Sequence, residues 1–196
     1  MRKSSGVTLV EILVVLSIVA VLAALAGPSF KTMVQSTTMS GNVNAFMSDL
    51  RFARSEAIRR GGGVVMCRTD TPESATAACG TGDGATGNGW VSGWIVFYDA
   101  NDDGSRVTSG ASEPILRVQA PITNMDSIME TTGSGSSTKF RFTATGRLRN
   151  LNSATSLQFG GNTMFTNDVQ RVVCVSLGGR ARIAGNGTTS CGSSSQ

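Results

Sequence analysis

The segment from Val7 to Ala26 constrains this chain more than any other, because its 20 residues carry a single charged side chain. As an α-helix it would be about 30 Å long, which is the thickness of a bilayer core. Arg2 and Lys3 precede it, so the positive-inside rule keeps the N-terminus in the cytoplasm and places the following chain outside. The sequence therefore predicts a membrane-spanning helix, in which Glu11 costs roughly 2.5–3.5 kcal/mol and needs a reason.

Two simpler interpretations of this segment leave features unexplained. Ala24-Leu25-Ala26 matches the cleavage site of a secretory signal peptide. However, the apolar run is long for a signal peptide, and Glu11 interrupts its beginning. A plain single-span anchor fits the length of the run but gives no reason for the acid.

The stretch SSGVTLVEILVVLSIVAVLAALAGP resembles the N-terminus of type IV pilins and type II secretion pseudopilins. The resemblance implies that a prepilin peptidase cuts between Gly6 and Val7 and that the new amine of Val7 is methylated. The family usually has Phe at the first mature position, so Val7 is a departure. Glu11 becomes the fifth mature residue, and Pro28 matches the family's kink position.

This resemblance gives Glu11 a role in assembly. In a filament its carboxylate would pair with the N-terminal amine of a neighbouring subunit, and such a pair fixes the axial register. The expected partners are other major and minor pilins, the prepilin peptidase and, before assembly, the inner membrane. The resemblance implies a single-pass inner-membrane protein with a periplasmic body, which becomes extracellular in the assembled pilus.

The rest of the chain is expected to form a helix followed by β-structure. Apolar residues recur with helical spacing at Phe46, Leu50, Ala53 and Ala57, before three glycines at 61–63. The period then changes to two in GVVMCR, WVSGWIVFYD, PILRVQA, STKFRFTATGRLR and VQRVVCVSLGGRARIAG. We expect WVSGWIVFYD to be one long strand that starts at Trp90 and pairs with PILRVQA.

The predicted fold class is α+β, a pilin-like fold with a long N-terminal helix packed on a C-terminal antiparallel sheet. The expected organisation has four parts: a leader peptide (1–6), a membrane and filament-core helix (7–27), an amphipathic continuation of that helix (28–61) and a β-rich body (62–196). Pro28 is expected to kink the helix rather than end it.

Four cysteines and the absence of histidine restrict the chemistry. No cysteine pair has CxxC spacing, so a zinc site is disfavoured and no cofactor is expected. Outside the cytoplasm, disulfides are the natural use of cysteine. Of the three possible pairings we favour Cys67–Cys79 with Cys174–Cys191, since each closes a short local loop; four free thiols are the alternative. An enzyme is disfavoured, because no Ser/Lys or Cys/His constellation is evident.

Charge is unevenly distributed along the chain. Residues 1–60 contain seven basic and three acidic side chains. Residues 61–133 contain three basic and nine acidic side chains, and residues 134–196 contain seven basic and one acidic. The basic C-terminal third is suited to contact nucleic acid or anionic lipid, although a solvated surface has the same composition.

The motif Gly179-Arg180-Ala181-Arg182 is the sharpest candidate site in that third. On a strand, Arg180 and Arg182 share a face and can contact neighbouring phosphates. WIVFYDANDDG and VVCVSLGGRARI resemble the GspH/FimT branch, and in FimT-like minor pilins this C-terminal motif is associated with DNA binding during natural transformation. The resemblance implies a minor pilin near the pilus tip that binds DNA phosphates without sequence preference.

A second copy of the motif, Gly146-Arg147-Leu148-Arg149, lies earlier in the chain. It would extend the basic surface or form a charged turn. Further candidates for the extension are Lys139, Arg141 and Arg171. The alternative interpretation of these cations is protection of exposed strand edges. The corresponding alternative function is an assembly-priming minor pilin, or an H-type type II secretion pseudopilin, without DNA binding.

The segment DANDDG has the spacing that begins an EF-hand calcium loop, with Asp99, Asn101 and Asp103 as ligands. The twelfth position is Gly110 instead of the required glutamate. A turn between two strands is the preferred interpretation, because Asp, Asn and Gly supply turn conformations.

Overall fold

The computed structural model describes residues 6–84, 86–109, 112–132, 138–149, 154–161, 163–184 and 191. The chain divides into two compact units, Met1–Thr37 and Thr38–Gln196. One helix, α1 (Leu9–Arg60), precedes the strands β1 (Val64–Arg68), β2 (Trp94–Tyr98), β3 (Ile115–Gln119), β4 (Ser127–Thr132), β5 (Lys139–Phe142), β6 (Thr155–Gly160), β7 (Arg171–Val175) and β8 (Ala181–Ile183).

The first unit contains the N-terminal part of α1, which is apolar on all sides. Every Val, Leu and Ile side chain from Leu9 to Leu22 is at least 51% exposed. A helix of this kind is stable only when other apolar groups cover it. Within the described residues, no helix meets the length and hydropathy that crossing a membrane requires. The helix continues through Pro28, so this proline does not end it.

In the second unit, α1 buries the stripe that the sequence predicted. Phe46, Leu50, Ala53 and Ala57 are all at most 1% exposed. The helix ends at Arg60, and the following Gly61 has a φ of 80°, a conformation that favours glycine after a helix.

Two antiparallel sheets pack with this helix around one core. The first has the strand order β3-β2-β1-β5 and the second has the order β4-β6-β7-β8. The ring of Phe46 makes edge contacts with Trp94 of the first sheet and Phe159 of the second, at centroid distances of 5.3 and 5.4 Å. The predicted α+β class, with a long N-terminal helix on an antiparallel β body, is confirmed.

The strands differ from the sequence prediction in three places. The strand predicted from Trp90 is wrong at its start, because Trp90–Ser92 forms a 3₁₀ turn and β2 begins at Trp94. Gly93 at φ 106° breaks the strand there. The predicted pairing of β2 with β3 is confirmed. Strand β5 ends at Phe142, well before the predicted end of its segment, and the sequence analysis did not identify β4 and β6.

Both predicted disulfides are present. Cys67–Cys79 fixes a loop over the outer face of the first sheet, where Cys67 packs with Val65, Ile95 and Phe97. Cys174–Cys191 holds Cys191 against the outer face of the second sheet, where Cys174 packs with Val172 and Ala184. Each bridge therefore covers the sheet face that points away from α1.

Candidate functional site

The C-terminal arginine motif lies at the tip and edge of the β7–β8 hairpin. The backbone N–H of Gly179 donates to the carbonyl of Ser176 at 2.9 Å, and the N–H of Ser176 donates to the carbonyl of Arg180 at 2.9 Å. Gly179 has a φ of 70°, which side chains other than glycine rarely adopt. Strand β8 is at the edge of its sheet, and the two arginines of the motif are exposed there.

The alternation of β8 separates the arginines from the core. Ala181 lies opposite Val175 and packs against the main core, whereas Arg182 lies opposite Cys174 on the other face. Arg180 directly precedes the strand, and both arginines are exposed. The side chain of Arg180 makes no hydrogen bond or ion pair to the residues that the structure describes.

The earlier motif copy lies directly against the C-terminal one, which the sequence analysis did not foresee. A Cβ atom added to Gly179 would lie 2.2 Å from the carbonyl oxygen of Gly146. The N–H of Leu148 donates to the carbonyl of Leu177 at 2.9 Å. Arg54 of α1 joins the contact, because its Nε donates to the carbonyl of Gly146 at 3.1 Å.

Three of the candidate cations hold the loop between β2 and β3. Lys139 Nζ donates to the carbonyl of Gly104 at 2.8 Å. Arg141 donates to the backbone carbonyl and the carboxylate of Asp102, and Arg149 forms an ion pair with the same carboxylate. These side chains therefore have structural contacts that a phosphate would have to replace.

Arg171 is also engaged with the backbone around it. Its Nη1 donates to the carbonyls of Asp168, Val169 and Gln170 at 3.2, 2.7 and 3.1 Å. These contacts fix the turn that enters β7.

The loop that contains Asp99, Asn101 and Asp103 is held by its own amide groups. The buried carboxylate of Asp99 accepts hydrogen bonds from the N–H of Gly104 at 2.7 Å and of Asp103 at 3.2 Å. Burial raises the pKa of Asp99, and the N–H of Gly104 opposes that rise. Among the described residues, no group of three or more His, Cys, Asp or Glu side chains is placed to hold a metal ion.

At the N-terminal site, Gly6 and Val7 are exposed. Thr8 precedes the helix, and its Oγ1 accepts a hydrogen bond from the N–H of Glu11 at 3.3 Å. The spacing T-x-x-E is that of a capping box, a signal the sequence analysis missed. Leader residues 1–5 and the side chain of Pro28 lie outside the described residues.

Glu11 therefore lies in the first turn of α1, where the helix dipole favours a carboxylate. Its side chain is exposed and forms no ion pair with any part of the chain that the structure describes.

The N-terminal segment and the helix-plus-sheet body together define a protein of the pilin-like class. Residues 1–27 match the family model described as the prokaryotic N-terminal methylation motif. Pilins and pseudopilins are structural proteins.

Within that class, residues 42–179 match the family model described as type II transport protein GspH, and the chain belongs to this family. The resemblance to the GspH/FimT branch is confirmed. A search of curated proteins finds no match to this chain.

Two solved structures of the type IV minor pilin FimU from Pseudomonas aeruginosa are similar to this chain. Their TM-scores are 0.46 and 0.48, and both are 16% identical in sequence to it. Each alignment covers 74% of this chain, and they cover 91% and 87% of the respective FimU chains.

Proposed function

We propose that this protein is a minor pilin of a type IV pilus that lies near the tip and binds extracellular DNA for natural transformation. The observation that carries the proposal is the exposed pair Arg180 and Arg182 on the edge hairpin of a basic C-terminal third. Guanidinium groups are suited to phosphate oxygens because they offer several donors in a fixed plane.

The proposed contact is with the phosphate backbone. Residues 176–184 contain no aromatic side chain that would stack on a base. Without base contacts, affinity comes from neutralising phosphates and releasing counterions, so it is independent of sequence and sensitive to salt.

The test is a titration of the full-length protein in detergent micelles with a fluorescein-labelled duplex, at roughly 50 to 200 mM NaCl. If three or four phosphates are engaged, log K falls against log[salt] with a slope near −3. The double variant Arg180→Gln/Arg182→Gln should bind more weakly while the body remains folded. A slope near zero in the parent, or parental affinity in the double variant, would contradict the proposal.

We further propose that the prepilin peptidase cuts between Gly6 and Val7 and that Val7 is then methylated. The exposure of this segment supports access by the enzyme. After cleavage the protein would remain in the inner membrane through α1 and then enter the filament with other major and minor pilins. There Glu11 would pair with the N-terminal amine of the neighbouring subunit, consistent with its exposed, unpaired side chain among the described residues.

A second candidate function is that of an H-type pseudopilin or assembly-priming minor pilin that binds no DNA. The description of the family model, type II transport protein, favours it. A deletion strain scored for transformation, piliation and protein secretion separates the two. The first proposal expects a loss of transformation with secretion retained, and the second expects a loss of secretion or piliation.

A further inference from the structure

The two copies of the arginine motif contact each other at their glycines. Gly146 and Gly179 are both buried, and the space for a Cβ on Gly179 is filled by the carbonyl oxygen of Gly146. Such a close approach requires glycine, because any side chain would displace the neighbouring backbone. Each contacting glycine is followed directly by an arginine, Arg147 in one copy and Arg180 in the other.

In both copies the residue between the two arginines, Leu148 or Ala181, contacts the main core. Leu148 is 7% exposed and belongs to the main core, and Ala181 packs against the same core. Because these apolar residues anchor each copy inward, the arginines on either side remain at the surface. Arg147, Arg149, Arg180 and Arg182 are all exposed.

The backbone of the earlier copy is fixed before any ligand arrives. Thr143 donates from its N–H and its Oγ1 to the carbonyl of Arg147, at 2.9 and 3.1 Å. In return, Thr143 Oγ1 accepts from the N–H of Arg147 at 3.2 Å. The Nε of Arg54 holds the adjacent carbonyl of Gly146. A rigid platform of this kind lowers the ordering cost of binding.

The cations around this platform differ in their availability. Arg149 is paired with Asp102, and Arg54 uses its Nε on Gly146. The side chains of Arg147 and Arg180 have no hydrogen bond or ion pair to the described residues. Arg182, the second arginine of the C-terminal copy, also has an interaction of its own. The first arginine of each copy is therefore the one that can meet an anion without breaking an existing contact.

We propose that both copies form a single phosphate-binding site for the DNA backbone, in which Arg147 contributes as much as Arg180. This inference rests on the proposed DNA binding and adds to it a cation outside the C-terminal motif. The site engages adjacent phosphates through guanidinium groups carried by two segments that are distant in sequence and joined at Gly146 and Gly179.

The test uses the full-length protein in detergent micelles and anisotropy of a fluorescein-labelled duplex. Variants Arg147→Gln and Arg180→Gln should each lose several-fold in affinity and reduce the salt slope by about 1. Their combination should reduce the slope by about 2. Thermal unfolding of all three should match the parent, since neither side chain has a partner among the described residues.

Arg59→Gln is the matched control, and Arg149→Gln is a comparison within the earlier copy. Arg59 is exposed and paired with Glu56, so its variant removes one positive charge at another place and should bind almost like the parent. Arg149→Gln removes a cation already neutralised by Asp102 and should cost less than Arg147→Gln.

The outcomes separate the two proposals. If Arg147→Gln binds like Arg59→Gln while Arg180→Gln is impaired, the joint site is wrong and the C-terminal motif binds DNA alone. If Arg147→Gln is impaired while Arg180→Gln binds like the parent, the joint site is also wrong. If the parent shows no salt-dependent binding of the duplex, the proposed DNA binding itself fails.

Discussion

At the scale of single residues, two glycines decide how the candidate interface is built. Gly179 combines a φ of 70° with a contact so close that its missing Cβ matters. The sequence of the motif does not predict this contact, because its partner, Gly146, belongs to another segment of the chain. The motif identified the glycine, and the structure supplies the reason for it.

Replacing Gly179 by Ala should therefore destabilise the body by about 1–3 kcal/mol, from the left-handed conformation, with a further cost from the clash with the Gly146 carbonyl. Urea unfolding of the full-length protein in detergent measures the change. DNA affinity should fall with it, since the hairpin would shift away from the Gly146 turn.

Gly178→Ala is the matched control. The nearest atom to its added Cβ is Ser176 Oγ at 3.7 Å, which is an ordinary contact. This variant should unfold within about 0.5 kcal/mol of the parent. Equal unfolding free energies for the two alanine variants would show that the Gly179 contact is not a constraint.

At the scale of elements, α1 is the support on which both sheets of the body rest. Phe46 is fully buried and meets aromatic rings from both sheets, at Trp94 and Phe159. Aromatic edge contacts of this kind add to the free energy gained from burial. The position of the helix relative to the two sheets therefore depends strongly on this one side chain.

Phe46→Ala should lower the unfolding free energy of the body by about 3–5 kcal/mol, because it leaves a cavity among well-packed rings. Ser55→Ala, at an exposed site on the same helix, should change it by less than about 0.5 kcal/mol. Chemical denaturation followed by tryptophan fluorescence reports both. A Phe46→Ala variant as stable as Ser55→Ala would contradict the packing described.

Much of the element pattern could be predicted from local sequence. The period of Phe46, Leu50, Ala53 and Ala57 predicted the buried helical stripe, and short spacing between cysteines predicted both disulfides. Strands β4 and β6 were missed because SIMETT and TSLQFG each contain only two large apolar residues, too few to show a period. The strand predicted to start at Trp90 was made too long because Gly93 interrupts the segment and β2 begins after it.

The residues of the candidate site could be predicted from the sequence, but the contact between the two motif copies could not. The arginines of both motif copies were identified from the sequence. The contact between Gly146 and Gly179 joins segments from different sheets, so no local sequence pattern predicts it. Sequence likewise could not distinguish Arg149, which Asp102 holds, from Arg147, which has no partner among the described residues. Such distinctions depend on tertiary packing.

At the scale of the whole molecule, the two compact units differ in their surfaces. The first carries an all-round apolar helix whose one acid is exposed, and the second carries a packed body with an arginine surface. The proposed pairing of Glu11 with the amine of a neighbouring subunit requires that Glu11 be present in the mature chain. The proposed cleavage after Gly6 retains it, whereas signal-peptide cleavage after Ala26 removes it.

The most direct measurement is mass spectrometry of the N-terminal peptide from mature protein isolated from cells that express the prepilin peptidase. The account predicts a chain that begins at Val7 with a methylated amine and still contains Glu11. In cells without the peptidase, the same peptide should keep the preceding leader residues. A mature chain that begins at Gly27 would contradict the account, since the acid on which assembly is proposed to depend would be absent.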